Sequence, residues 1–365
     1  MNVSQNSNKP ENNKVLLVVP RHWFCVAVSN TGAMFKNDAE SPDSFMETLG
    51  ESTIAWVDYW ADDLAKEAPV IAARMGFSDA LVAGLIGDSP LSYQDFDVEM
   101  GIRVPSVHVS GFDVQTHPLL MLIKRNFILT IHPLSVDRRF AHLRRYSDAI
   151  LKKIHPDLVS EDKITLLLLR LIDENNGRNF EYLRQIEELG DALNRKLIDT
   201  QTERDKLGYD IYQMKHALIT YLDALWETVD VMHDLRFGDA EVITNDPGLL
   251  EKITHVEEDV NRQIGLSEHM SEVLASGLEV MQSIYNNQLQ VLNNRLAMVM
   301  TYLTIIGTAV LVPNTLATIL SNPAFAMEPQ DRGWYIALLV VSTVLATWLA
   351  YWWVKKMGWM PKRPD

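Results

Sequence analysis

The 365-residue sequence has little of what most catalytic and extracellular proteins rely on. Its single cysteine, Cys25, cannot close an internal disulfide, which excludes a disulfide-stapled fold and a four-cysteine zinc site. In a short apolar run, Cys25 reads as a small buried side chain. Positive charge is scarce: 33 basic residues against 48 acidic ones leave a formal −15, the wrong sign for gripping a phosphate backbone, so nucleic acid is not an expected partner. No GxxxxGK(S/T) loop occurs, so nucleotide-driven work has no support. The ten histidines form no HExxH or His-x-x-x-His pair, and His117, His132 and His155 each precede a proline, as turn residues do. No enzyme and no resident cofactor are expected.

Charge is also missing locally. Leu296 to Met327 is a run of 32 residues without a charge, and Gly333 to Val354 is another of 22. Each exceeds the roughly 20 residues that cross about 30 Å of hydrocarbon as a helix. Five basic and three acidic residues follow Arg295, which leaves −17 on the first 295 residues. The sequence thus divides into a large acidic part and two closing membrane spans. Residues 1–14, MNVSQNSNKPENNK, are Asn-rich without an apolar core and read as a disordered leader, not a secretory signal. The tail 355–365 carries Lys355, Lys356, Lys362 and Arg363 beside the second span, whereas the loop 328–332, EPQDR, nets −1. The positive-inside rule then expects a multi-pass plasma-membrane protein with both termini cytoplasmic. Trp334 and Tyr335 at one end of the second span and Tyr351, Trp352 and Trp353 at the other suit its two interfaces.

Residues 15–135 read as an α/β cytoplasmic domain. Strand-like runs fall at 15–19, 25–29, 52–60, 106–110, 118–124 and 126–132, with helices at 62–75 and 79–86 and Gly76 as a stop. The region 136–247 is helical, in segments 136–154, 161–204 and 205–236, and Asn245-Asp246-Pro247-Gly248 is a turn that opens a new helix. That helix has no convincing stop: the stalk 248–295 continues into the first span, 296–327, and a run from about 248 to 320 would be about 105 Å long at 1.5 Å per residue. A helix of this length needs neighbours throughout, which points to a bundle of several chains. The second span, 333–354, is richer in aromatics and reads as the lipid-facing outer helix.

The first span carries the most specific pattern. Thr304, Thr308, Leu311, Thr315, Thr318 and Asn322 follow at steps of 4, 3, 4, 3 and 4, so one face of an apolar helix is almost wholly polar. A 3.5-residue step keeps that face on the axis of a left-handed bundle, as a pore lining would require. The alternative is that the hydroxyls bond to carbonyls one turn back and only help helices pack.

The string YNNQLQVLNNRLAMVMTYLTIIGTAVLVPNTLATI, the MEP loop and Trp334 resemble the CorA-type divalent metal ion transporters, the two-helix GxN superfamily. WVDYW at 56–60, LIKRNFILTIHP at 122–133 and the helical run from Leu166 to Ile198 match that family's cytoplasmic domain in order and spacing. The resemblance implies an α+β cytoplasmic domain, a long helical stalk and two C-terminal transmembrane helices in a funnel-shaped homopentamer, seated in the lipid bilayer, that passes divalent cations such as Mg²⁺. It implies Met300 as a hydrophobic gate, Thr304 and Thr308 as polar pore positions, Leu311 or Val312 as a second constriction, and Pro313 and Thr315 as the family's Pro and Thr. The Gly-Met-Asn signature is absent. Ser321-Asn322-Pro323 stands in its place, and Asn314 is a second source of a polar ring, so Asn322 and Asn314 are the candidate selectivity residues. Glu257, Glu258 and Asp259, near His255 on the stalk, are candidate ligands for a regulatory metal, with a solvated helix face as the other reading. Two function classes stay open: a channel-like transporter of hydrated Mg²⁺, with Co²⁺, Ni²⁺ or Zn²⁺ as other cargoes, and a membrane-anchored coiled-coil scaffold or receptor.

Overall fold

The computed structural model describes residues 23–87, 90–198, 204–322 and 329–357. The expected leader at 1–14, the strand at 15–19, Pro323 to Glu328 and the tail beyond 357 lie outside them. One compact unit ends at Ala275 and a second begins at Ser276.

In the first unit seven strands form one mixed sheet. They are β1 (Trp23–Ser29), β2 (Met34–Ala39), β3 (Ser52–Ala61), β4 (Tyr93–Phe96), β5 (Glu99–Ser110), β6 (Asp113–Lys124) and β7 (Phe127–Pro133), in the order β2-β1-β3-β7-β6-β5-β4. Only β3 and β7 pair in parallel, with Asp58 opposite Thr130 and Trp60 opposite His132. Successive side chains leave a strand on opposite faces, so Ile54, Trp56 and Ile128 enter one core while Ala55, Val57, Leu129 and Ile131 enter another. A sheet buried on both faces is written as nearly continuous apolar runs, which is why its central strands are legible in the sequence. Each fully buried Leu or Ile contributes about 1.5–3 kcal/mol.

Three helices cover the second face: α1 (Met46–Gly50), α2 (Leu64–Arg74) and α3 (Asp79–Ile86). Asp63 caps α2 by accepting from Lys66 N, while Glu67 Oε1 accepts from the N–H groups of Asp62 and Asp63, so orphan donors at the helix start are satisfied. Gly76 ends that segment at φ +79°, a left-handed conformation that a side chain would oppose. The first face is covered by α4 (Asp137–Lys152), α5 (Ser160–Asn176), α7 (Arg204–Phe237) and the opening of α8 (Pro247–Leu320). Between α5 and α7 runs α6 (Asn179–Ile198). It approaches α7 closely at Gly190, where a Cβ would stand 2.4 Å from Met214 Cε.

Three differences from the sequence reading have physical causes. β2 and β4 were not anticipated, because MFKNDA and YQDF are edge strands, whose polar side chains protect an open edge and erase the apolar signal. The runs at 106–110 and 118–124 are parts of one long hairpin, β5–β6, the first beside the turn and the second at its far end, turned by Gly111 at φ +64° with Ser110 opposite Asp113. The single helix expected over 161–204 is broken at Gly177. There Asn175 Nδ2 donates to the carbonyl of Pro105 at 2.9 Å and its own carbonyl accepts from Arg139 at 2.9 Å, tethering the chain to the sheet.

α8 is one helix of 74 residues. Pro247 sits at its first position, where no N–H is needed, and Asp246 Oδ1 accepts from Leu249 N at 3.0 Å. The second unit consists of the later part of α8 and of α9 (Arg332–Lys356). Both helices are long and apolar enough to cross a membrane.

Candidate functional site

Within the second unit the polar stripe lies on an open face of α8. Met300, Thr304, Thr308, Leu311, Thr315, Thr318 and Asn322 are all exposed in the single chain, as is Asn314. Between 301 and 320 the half-buried positions are instead Thr301, Ile305, Ala309, Pro313, Leu316, Ala317 and Leu320. With 3.6 residues per turn, that row is centred roughly 140° around the helix from the stripe. It faces α9, where Ser342, Thr343, Ala346, Thr347 and Ala350 turn inward and small side chains permit approach. Trp348 of α9 points away into the surroundings, whereas Trp352 and Trp353, though exposed, border the space between the helices. The stripe is therefore not the row on which the two helices of one chain pack most closely, although Thr304 and Thr308 border the space between them.

Each threonine of the stripe donates to the carbonyl four residues back: Thr304 to Met300 at 2.9 Å, Thr308 to Thr304 at 2.9 Å, Thr315 to Leu311 at 2.8 Å and Thr318 to Asn314 at 2.8 Å. This is the local bonding that the packing alternative foresaw. It does not use up the hydroxyl, because a donating oxygen keeps its lone pairs and can accept from a water on the exposed side. The face thus offers a row of oxygen acceptors with no formal charge. At its end Asn322 N donates to the carbonyl of Ile319 at 3.2 Å, closing the last turn.

The stalk carboxylates are not assembled into a site within one chain. Asp259 pairs with Arg262, and Glu258 Oε2 lies 3.4 Å from His255 Nδ1, both on the helix surface. Glu257 is half-buried. Among the described residues no group of three or more His, Cys, Asp or Glu side chains could hold a metal ion. Cys25 is buried in β1, and burial pushes its thiol up to about 12, which keeps it protonated and unreactive.

Sequence reasoning missed a buried polar cluster in the first unit. Asp58 of β3 and His132 of β7 are fully buried, and Thr130 donates to Asp58 Oδ1 at 2.5 Å with His132 Nε2 3.1 Å from the same oxygen. Arg144 of α4 donates to Asp58 Oδ2 at 2.5 Å and also pairs with Asp137, while its guanidinium lies 5.0 Å from the Trp60 ring. A charged residue inside the WVDYW run was the available signal, since an ionised carboxylate in a strand buried on both faces needs partners. At the far edge of the sheet the carboxyl of Asp95 is raised, first by burial and then by Asp97, Glu241 and Asp239.

Residues 51–356 match the family model described as CorA-like Mg²⁺ transporter protein. No curated protein matches the chain. Among solved structures, the complete CorA magnesium transporter from Methanocaldococcus jannaschii is 20% identical, with 93% of this chain and 98% of that chain covered and a TM-score of 0.65. The full-length CmaX protein is 13% identical over 92% of this chain and 97% of its own, with a TM-score of 0.58. The soluble domain of the same Methanocaldococcus CorA is 19% identical over 72% of this chain and 97% of its own, with a TM-score of 0.55. At these identities the likeness concerns the fold, and the family assignment rests on the model match.

Proposed function

The chain belongs to the CorA-like Mg²⁺ transporter family, and from that premise we propose that it is a homopentameric, channel-like conductor of hydrated divalent cations, with Mg²⁺ as the favoured cargo and the membrane potential as the driving force. The observation that carries this reading is the stripe of neutral oxygen acceptors from Thr304 to Asn322, exposed in the single chain and offset from the half-buried row of α8. Copies of α8 arranged around an axis would bring that face inward. A scaffold would have no use for it, and family membership disfavours that alternative.

The chemistry follows from the ion. Mg²⁺ gives up its water reluctantly, so a row of neutral acceptors spaced about one turn apart can hold the hydrated ion without trapping it. Charged ligands would bind too tightly for passage. A doubly charged ion gains about 4.6 kcal/mol per 100 mV, twice the roughly 2.3 for one charge, so no nucleotide is needed. The −17 on the first 295 residues, repeated around an axis, would concentrate cations at the cytoplasmic mouth. In this reading Met300 supplies a ring of flexible apolar side chains that gates by excluding water, and Leu311 a second constriction. Asn322, standing where the family has Gly-Met-Asn, is the outer selectivity ring, with Asn314 as the other candidate. The plasma membrane is the site of action and both termini face the cytoplasm. A regulatory divalent cation at Glu257, Glu258 and Asp259 would have to be shared between chains, because one chain does not assemble it.

The test is flux into liposomes containing the purified full-length protein, with Mg²⁺, Co²⁺, Ni²⁺ and Zn²⁺ compared with and without an imposed potential. Mg²⁺ uptake should proceed without ATP and slow strongly when the potential is collapsed. Asn322→Ala should lose uptake and inhibition by cobalt hexaammine, a rigid mimic of the hydrated ion, whereas Asn314→Ala should keep both. Normal uptake in Asn322→Ala moves the selectivity site elsewhere, and uptake that requires ATP rejects the mechanism.

A further inference from the structure

The two apolar helices of the second unit do not close on each other along their length. Between them lies a cavity of about 730 Å³ whose walls run from Thr304 to Leu316 on α8 and from Ser342 to Met357 on α9. Its side-chain polar groups are the indole N–H groups of Trp352 and Trp353 at one end and three hydroxyls, each already donating to its own helix: Thr304 to Met300, Thr308 to Thr304 and Ser342 to Leu339. Away from the tryptophan end, no donor in the wall calls for water. An empty apolar void in hydrocarbon forfeits the dispersion contacts of its lining, so a filled state is favoured.

Two features specify what fills it. The first is length. Thr304 to Leu316 is about 18 Å at 1.5 Å per residue, close to the roughly 15 Å depth of one leaflet's hydrocarbon, half of a 30 Å core. The cavity is thus as long as one acyl chain lying along the helices. The second is charge at one end only. Trp353, Val354 and Met357 line the cavity and flank Lys355 and Lys356, with Lys356 Nζ held 4.9 Å from the Trp352 ring. No acidic residue occurs between Glu279 and Glu328 or between Asp331 and Asp365, so the basic end is not neutralised from either helix. Clustered lysines at a membrane surface attract anionic headgroups.

We infer that this cavity is a binding site for one acyl chain of an anionic phospholipid whose phosphate is drawn to Lys355 and Lys356. The inference rests on the two helices lying in a membrane and not on the number of chains; Thr304 and Thr308 stand where this cavity borders the polar stripe. A lipid held here would fill the gap between the helices of one chain.

Photo-crosslinking of the full-length protein in phosphatidylcholine vesicles tests it. One preparation contains phosphatidylglycerol with a diazirine on its acyl chain, the other phosphatidylcholine with the same label, and crosslinked residues are mapped by peptide mass spectrometry. The buried cavity-wall residue Ala346 should be labelled by the phosphatidylglycerol probe, whereas Val344 and Trp348 on the outward face should be labelled equally by both. Lys355→Gln with Lys356→Gln should lower the phosphatidylglycerol-to-phosphatidylcholine ratio at Ala346 on the order of tenfold and leave Val344 unchanged. Ala350→Phe, which fills the cavity, should abolish labelling at Ala346, with Val344 and Trp348 reporting that the helix is still inserted. Equal labelling of Ala346 by both probes removes the headgroup preference and overturns the proposal. Protection of Ala346 from both probes in the wild type overturns it in favour of a second copy of the chain in the cavity, and this wild-type comparison stands whether or not the variants fold.

Discussion

Asp58 puts a carboxylate on a strand that is otherwise apolar on both faces. Burial by itself would push its carboxyl up, but His132, Arg144 and Thr130 outweigh that and hold it below the ordinary 3.8. A folded-state pKa below the unfolded one contributes stability that is complete above the ordinary carboxylate range and is lost as pH falls through the folded value. Removing one partner of a buried pair costs more than the pair ever contributes, because Arg144 would keep its burial and lose its main counter-charge. Asp58→Asn should therefore destabilise the protein by about 3–5 kcal/mol, read as a lower thermal midpoint in detergent at pH 7. From about pH 4 downward the wild-type midpoint should fall more steeply than that of the variant, since only the wild type has this proton to bind. Equal midpoints at pH 7 would mean that the cluster is held by packing alone.

At the scale of elements, two glycines separate close packing from conformational freedom. Gly101 of β5 lies under α3, and a Cβ there would meet Leu85 Cδ1 at 2.6 Å, Leu122 Cδ2 at 3.2 Å and Leu81 Cδ1 at 3.2 Å. The helix can approach the sheet because that side chain is absent. Gly101→Ala should overpack the contact and cost about 1–3 kcal/mol. Gly265 of α8 has nothing within 4 Å of such a Cβ, so Gly265→Ala removes only unfolded-state entropy and should stabilise by about 0.5–1 kcal/mol. Thermal midpoints of the two variants should move in opposite directions, and a shared direction would refute the packing argument at Gly101.

For the whole molecule the controlling quantities are the length of α8 and the exposure of its stripe. Much of α8 beyond Leu274 is exposed in a single chain, including Val280, Leu292, Leu296 and Leu303, which a lone helix would leave without protein partners. In the proposed assembly these side chains meet their equivalents on neighbouring copies. Native mass measurement of the detergent-solubilised protein should give five times 41.5 kDa. A monomer or dimer would leave the threonine stripe with no axis to line and would reject the pore.

Long-range order along the chain was legible without coordinates wherever a local pattern had one cause. The charge-free runs from Leu296 and Gly333, the 3.5-residue stripe, the central strands and the α3 segment at 79–86 follow from burial and helical periodicity, which act on neighbours in sequence. What only the tertiary structure decided depends on partners far apart in the chain. The edge strands β2 and β4 have polar sequences and owe their conformation to the sheet beside them. The break at Gly177 depends on Pro105 and Arg139, and the burial of Asp58 on Thr130 and His132, more than 70 positions away. Which face of α8 meets α9 was likewise open in the sequence, because threonine suits both a helix contact and a wet surface. The small residues of α9 resolved it by packing toward the Ile305 side, with the stripe exposed and only Thr304 and Thr308 bordering the space between the helices.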